Sequence, residues 1–249
     1  MQDYVSKDKV VLITGGVKRV GATIARHLHG LGMNLVLHYR HSEKAAHALQ
    51  AELQTQRPQS VLLLQADLLH TPKLMRMVQQ TIEHYGRLDV LINNASTFYP
   101  TPIGQATESN WDDLIGTNLK VPFFLSQAAA PHLAAVQGCI VNLVDIYADR
   151  PLKQHTIYSA AKTGLIMVTK SLAKELGPHV RVNAVAPGAI LWPENEMDEV
   201  AKQRIISSIP LKRQGDPTDI ARAVYFLIQD AGYITGHVIT VDGGRSLNQ

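Results

Sequence analysis

The chain has 249 residues, of which 45% are hydrophobic and 18% charged, and its formal net charge is +3. That is apolar material enough for a full core, and one α/β domain covering residues 1–249 is an ordinary use of such a length. No run of about five like charges offers a footprint for nucleic acid or an anionic membrane. No segment is long and apolar enough to span a bilayer, and the polar residues 1–9 are unlike a signal peptide. The expectation is a cytoplasmic protein with neither nucleic-acid nor membrane partners.

Strand-like apolar runs fall at 10–13, 35–39, 61–64, 90–92, 140–144, 180–185 and 238–241, continuous as in strands buried on both faces. Amphipathic stretches lie between them at 21–31, 43–53, 74–85 and 157–176, and Pro217-Thr218-Asp219 opens another that runs through Phe226. Strand and helix in alternation imply right-handed crossovers and a doubly wound α/β fold with a seven-stranded parallel sheet. The one cysteine, Cys139, falls in an apolar strand and reads as a buried, inert thiol. Residues 187–198 are rich in loop-forming and acidic residues, and a lid over the site is expected there.

After the first strand comes Thr14-Gly15-Gly16-Val17-Lys18-Arg19-Val20-Gly21. Glycines at a strand-to-helix turn let backbone amides approach a pyrophosphate, which makes Gly15, Lys18, Arg19, Val20 and Gly21 candidate cofactor contacts. Arg19 stands where the usual spacing has its middle glycine, beside Lys18, and two cations there suit a strongly anionic ligand. The second strand ends in Tyr39-Arg40-His41-Ser42, with no acid to take ribose hydroxyls. A guanidinium and a hydroxyl suit the 2′-phosphate of NADP, which a carboxylate would repel, so the cofactor reads as NADPH. Asp67, followed by Leu68 after the third strand, reads either as an acceptor for the adenine amine or as a helix N-cap.

Asp145 ends the fifth strand, thirteen residues before Tyr158, at the carboxyl edge where open α/β sheets bind ligands. Tyr158 and Lys162 are spaced i, i+4 on a helix, so the ammonium is expected near the phenol and to favour its ionised form. A phenol lowered from about 10 is a usable proton donor near neutrality.

The turn from Thr14 to Gly21, Asn93-Asn94-Ala95, the Tyr158/Lys162 pair, Asn183-Ala184-Val185-Ala186-Pro187-Gly188 and Val241-Asp242-Gly243-Gly244 together resemble the short-chain dehydrogenase/reductase superfamily over nearly the whole chain. The resemblance implies a three-layer Rossmann-type domain, hydride transfer from a nicotinamide and a homotetramer. It adds Asn94, Ala95, Ser96, Pro187 and Gly188, with Tyr158 and Lys162, to the cofactor contacts, and makes Asn118 a catalytic residue that holds the lysine through a water. Within the superfamily, Arg19, the segment His38-Tyr39-Arg40-His41-Ser42, the run Asn93 to Pro100 and Asp145 in place of a serine look like pteridine reductases. That implies reduction of dihydropterins, with dihydrofolate and oxidised pterins as further candidates.

The residue chemistry agrees. An ionised Asp145 would oppose the oxyanion developing on a ketone, whereas a pterin has a ring nitrogen to protonate and an edge rich in donors. Phe98 is placed to stack on a flat heterocycle, Arg19 and Ser96 to reach both cofactor and pterin, and Trp192 to line the pocket or a subunit contact. The expected mechanism is hydride delivery to the C6–N5 or C7–N8 imine, with Tyr158, Asp145 and Lys162 supplying the proton. The terminal Arg245-Ser246-Leu247-Asn248-Gln249 lacks the end arginine that some relatives extend into a neighbouring site, and the eleven scattered histidines give no metal motif. A ketone or 3-oxoacyl-thioester reductase and a silent NADPH-binding sensor stand as alternatives.

Overall fold

The computed structural model describes residues 7–192 and 198–247. Seven strands, β1 (Val10–Ile13), β2 (Asn34–Tyr39), β3 (Val61–Gln65), β4 (Val90–Asn93), β5 (Cys139–Leu143), β6 (Arg181–Pro187) and β7 (Val238–Val241), form one parallel sheet in the order β3-β2-β1-β4-β5-β6-β7. The order reverses between β1 and β4. Crossovers on the two sides of that point leave in opposite directions and open a crevice at the strands' carboxyl ends.

The alternation of side chains builds the layers. Val11 and Ile13 of β1 point into one core, with Leu35 and Leu37 of β2, under α1 (Arg19–Gly30), α2 (Glu43–Gln56) and α8 (Pro217–Gln229). Val10 and Leu12 point into the other, with Val36 and Leu91, under α3 (Thr71–Tyr85), α5 (Val121–Ala135) and α6 (Thr156–Leu176). Both faces being covered explains why the strands read as continuous apolar runs. Leu12 is fully buried, and truncating it to alanine would cost about 2–5 kcal/mol.

Three helices were not expected from the sequence: α4 (Glu108–Ile115), α5 and α7 (Glu199–Ser207). Thr107 and Asn110 form a reciprocal capping box that starts α4, and a π-helical turn, Gly116–Lys120, joins α4 to α5. Asp216 and Asp219 cap α8 in the same way, with Pro217 at its first turn. Cys139 is buried, and burial pushes its thiol up to about 11. Among the described residues no helix is long and apolar enough to cross a membrane.

Candidate active site

The crevice above β1, β2 and β4 holds a cavity of about 500 Å³. Its floor is the turn after β1. Gly15 has φ +60, a left-handed conformation, and a Cβ added at Gly21 would collide with the Gly15 carbonyl oxygen and lie 2.7 Å from Asn94 Nδ2. Glycine is therefore required at 21, and it is favoured at 15, where a Cβ would also press on the Ala95 Cα at 3.1 Å. Asn94 fastens the turn by donating from Nδ2 to the Thr14 and Gly15 carbonyls, at 2.9 and 3.0 Å. Thr14 Oγ1 accepts from the Asn94 and Ala95 amides, at 2.9 and 3.0 Å.

Arg19 opens α1 with φ +51, so it takes the backbone shape of the glycine it stands in for. Its Nη2 donates to the Trp192 carbonyl at 3.1 Å, bringing the segment after β6 toward the turn; residues 193–197 of the expected lid lie outside the described residues. No side chain caps α1, and no acid sits in its first turn. With Lys18 and Arg19 beside it and Val20 and Gly21 in its first turn, that helix end suits an anion.

The other cofactor candidates divide. Arg40, Asp67, Leu68, Ala95 and Ser96 line the cavity with the turn. Arg40 Nη2 pairs with Asp67 Oδ2 at 2.9 Å, and Asp67 Oδ1 accepts from the Leu69 amide at 3.1 Å. The N-cap of α3 is His70, so Asp67 is a turn acceptor and ion-pair partner, not that helix's cap. Ser42 is the N-cap residue of α2 with no cap bond from its hydroxyl, and His41 is exposed. The Tyr39 side chain is 7% exposed and packs in the core. Pro187 and Gly188 close the β6–β7 seam, where the Gly188 amide donates to Val241 at 3.0 Å.

The chemistry gathers at the ends of β5 and α6. Asp145 caps a single 3-10 turn, Ile146–Ala148, accepting at Oδ1 from the Tyr147 amide at 2.9 Å. Its Oδ2 accepts from the Tyr158 hydroxyl at 2.8 Å. Lys162, buried beneath, donates to the Leu143 carbonyl at 2.9 Å and lies 5.7 Å from the Tyr158 ring centroid. Asn118, in the π-helical turn, donates to the carbonyls of Leu114 (2.9 Å) and Thr97 (3.0 Å). Its Oδ1 accepts from Ser96 Oγ at 2.6 Å.

Phe98 is 49% exposed, which rules out a role as a core aromatic. It packs edge-to-face on Tyr158 (4.8 Å) and stacks flat on His155 at 4.6 Å. His155 and Tyr147 were not anticipated, nor was Arg245, whose Cζ lies 5.7 Å from the Tyr147 ring centroid. None of the three belongs to a motif that singles it out.

The electrostatics correct one expectation. Burial pushes the Tyr158 phenol well above its ordinary range, and the Asp145 charge and hydrogen bond push it further. Lys162 does not outweigh them: its bond goes to Leu143 and not to the phenol, and burial lowers the ammonium itself to about 8 against the pull of Asp145. Burial also raises the Asp145 carboxyl, opposed by the Tyr147 amide, the Tyr158 hydroxyl, Lys162 and Arg245. The phenol thus keeps its proton and lends it to the carboxylate. A carboxyl raised by burial and bonded to the phenol is suited to exchange a proton with it.

A family model described as enoyl-(acyl carrier protein) reductase matches residues 16–246. The chain belongs to the short-chain dehydrogenase/reductase family. This short-chain reductase is 35% identical over 281 aligned positions to pteridine reductase 1 of Leishmania tarentolae, covering 96% of the chain and 97% of the relative. It is 36% identical over 241 positions to the 3-oxoacyl-[acyl-carrier-protein] reductase FabG of Staphylococcus epidermidis, covering 95% and 98%. Staphylococcus aureus FabG matches at 36% over 240 positions, covering 95% and 97%. It is an oxidoreductase whose family uses nicotinamide dinucleotides, and the uncapped α1 terminus with its flanking cations fits one.

A second cavity, of about 600 Å³, lies beside β7 and the start of α8. It contains none of Asp145, Tyr158 and Lys162, so the chemistry is assigned to the crevice.

Proposed function

We propose that this reductase uses NADPH to convert dihydropterins to their tetrahydro forms, with dihydrofolate and oxidised pterins as related substrates. The observation that carries the reading is the 2.8 Å bond from the Tyr158 hydroxyl to Asp145. In a ketone reductase the group beside the tyrosine must donate to an oxygen gaining negative charge, and a carboxylate, which only accepts, would oppose it. An imine nitrogen also receives a proton, but it is far more basic than a carbonyl oxygen and can be protonated as the hydride arrives, so a carboxyl group that takes up and gives up a proton is a fitting partner for it.

Reducing a C=N bond adds a hydride to carbon and a proton to nitrogen. NADPH, when bound, supplies the hydride to C6 of the C6–N5 bond or C7 of the C7–N8 bond. Tyr158 and Asp145 act as one proton-holding unit: Tyr158 lines the cleft, its proton is shared with the carboxylate across the 2.8 Å bond, and a proton given up to the imine nitrogen is replaced from solvent through Asp145. Lys162 sits below as a buried cation, and Asn118 fixes Ser96 and the Thr97 carbonyl at the cleft wall. Phe98 offers an aromatic surface for a flat heterocycle, with Arg19 and Ser96 at the same mouth. Lys18, Arg40 and Ser42 would hold the cofactor phosphates, Arg40 and Ser42 those of the 2′ position.

The site reading extends to a homotetramer. Exposed Phe123 and Met167 on α5 and α6, and Phe226 and Tyr233 at and after the end of α8, supply apolar surface for subunit contacts. A 3-oxoacyl-thioester reductase is the second reading, favoured by the near-equal identity to FabG.

The test measures NADPH consumption with dihydrobiopterin, dihydrofolate and a panel of ketones and 3-oxoacyl thioesters, for the wild type, Tyr158→Phe and Asp145→Ser. Dihydropterin turnover that falls by about a hundredfold or more in both variants is expected. Turnover of ketones or thioesters alone, or full dihydropterin activity in Asp145→Ser, would overturn the reading.

A further inference from the structure

His38 is the one histidine of β2, in a strand buried from Leu35 onward, and it is itself 3% exposed. A buried imidazole needs partners for both nitrogens. The Gly15 amide donates to Nδ1 at 3.1 Å, and Nε2 lies 3.0 Å from the Ala66 carbonyl. Those partners fix the tautomer. An N–H pointing at Nδ1 requires a lone pair there, and a carbonyl at Nε2 requires the proton on that nitrogen.

The backbone carbonyl of His38 also accepts from the Gly16 amide at 3.1 Å. One residue thus holds two successive amides of the glycine turn. Through Nε2 it also ties that turn to the segment after β3, where Asp67 faces Arg40 across the cleft mouth. His38 itself lines the cavity.

We propose that His38 is a positioning residue for the dinucleotide: its neutral imidazole sets the orientation of the Gly15 amide in the turn that receives the diphosphate, and protonation releases that turn. A protonated ring would turn an N–H toward the Gly15 N–H, exchanging an acceptor for a second donor. The charged groups around it are Asp67 from the turn after β3, which favours the charged ring, and Arg40 bound to that carboxylate. Lys18 and Arg19 line the same cavity from the glycine turn. Burial outweighs the Ala66 hydrogen bond and Asp67 and keeps the imidazole below its ordinary range, so the turn is held at neutral pH and loosened in acid. The inference rests on the cofactor reading above.

The test is NADP⁺ binding by calorimetry to the wild type, His38→Asn, His38→Gln and His38→Leu, across roughly pH 5 to 7.5. Asparagine keeps an acceptor at the Nδ1 position, glutamine keeps only the reach toward Ala66, and leucine keeps neither. At neutral pH the glutamine and leucine variants are expected to bind about five- to tenfold more weakly, from one lost hydrogen bond, with asparagine within about twofold of wild type. The wild type should also lose affinity in acid more steeply than His38→Asn. Titration of the 2′-phosphate is common to all four proteins and cancels in that ratio. Steady-state kinetics should place the change in the KM for NADPH, with kcat held.

A wild type that does not bind NADP⁺ would sink the cofactor reading. A wild type that binds, beside a His38→Gln variant of equal affinity or a His38→Asn variant with the same acid limb, would overturn the role of His38 alone. The comparison of wild type with His38→Asn decides the matter even where leucine prevents folding.

Discussion

Replacing Lys162 by methionine removes a buried ammonium and keeps most of its stem. The fall from 10.5 to about 8, at about 1.4 kcal/mol per pH unit, means that the charged lysine carries a penalty on the order of 3 kcal/mol in the folded protein at neutral pH. Methionine escapes that penalty but leaves the Leu143 carbonyl without its donor, which costs about 1–3 kcal/mol. The variant should therefore be as stable as the wild type at pH 7, or more stable by about 1 kcal/mol, while losing turnover. The sign of the pH dependence follows from proton counts. Below about pH 8 both folded and unfolded lysine are protonated, and stability is flat. Between about 8 and 10.5 the unfolded chain binds the extra proton, so wild-type stability rises with pH. By about pH 9.5 the rise is on the order of 2 kcal/mol. Urea unfolding of both proteins at about pH 7, 8 and 9.5, at one protomer concentration, isolates the term because other titrations are shared. Parallel stability curves for the two proteins would refute the claim that Lys162 is held in the fold against its desolvation.

Tyr158→Phe should lower dihydropterin turnover by about a hundredfold or more and leave NADPH affinity within about twofold, since only the proton-holding hydroxyl is removed; a kcat near wild type would contradict this. Arg40→Ala should weaken NADPH by about ten- to a hundredfold through lost charge-assisted bonds and leave NADH nearly unchanged, as measured by the KM of each cofactor. Gly21→Ala should abolish cofactor binding, because the new Cβ collides with the Gly15 carbonyl oxygen; calorimetric binding at wild-type strength would show that the turn can relax.

The legibility of the fold followed burial geometry. Strands covered on both faces announced themselves as apolar runs, and α1 as an amphipathic stretch, though its true start at Arg19 was hidden by a left-handed residue that no periodicity reports. α5 escaped notice for the opposite reason. Its buried stripe of Val121, Leu125, Ala129 and Leu133 is regular, but Phe123, Phe124 and several alanines make the other side apolar too, and Pro131 interrupts the pattern. α7 buries no residue, so it has no stripe to read. Asp145 and Tyr158 could be paired from the sequence because a strand end and a following helix are close in this topology. The reversed effect on the phenol could not, since it depends on where Lys162 spends its hydrogen bond. His38 was visible as a polar residue in an apolar strand, but its partners Gly15 and Ala66 come from two other segments.

The placement of Cys139 gives this reductase a built-in clock. As the single sulfhydryl in the chain, set in β5 between β4 and β6 and held protonated by burial, it stays silent toward alkylating reagents while the central sheet is intact. It opens β5 at the amino edge of the sheet, away from the crevice, so its labelling rate would count openings of that edge and report the stability of the sheet at a residue no ligand in the crevice touches.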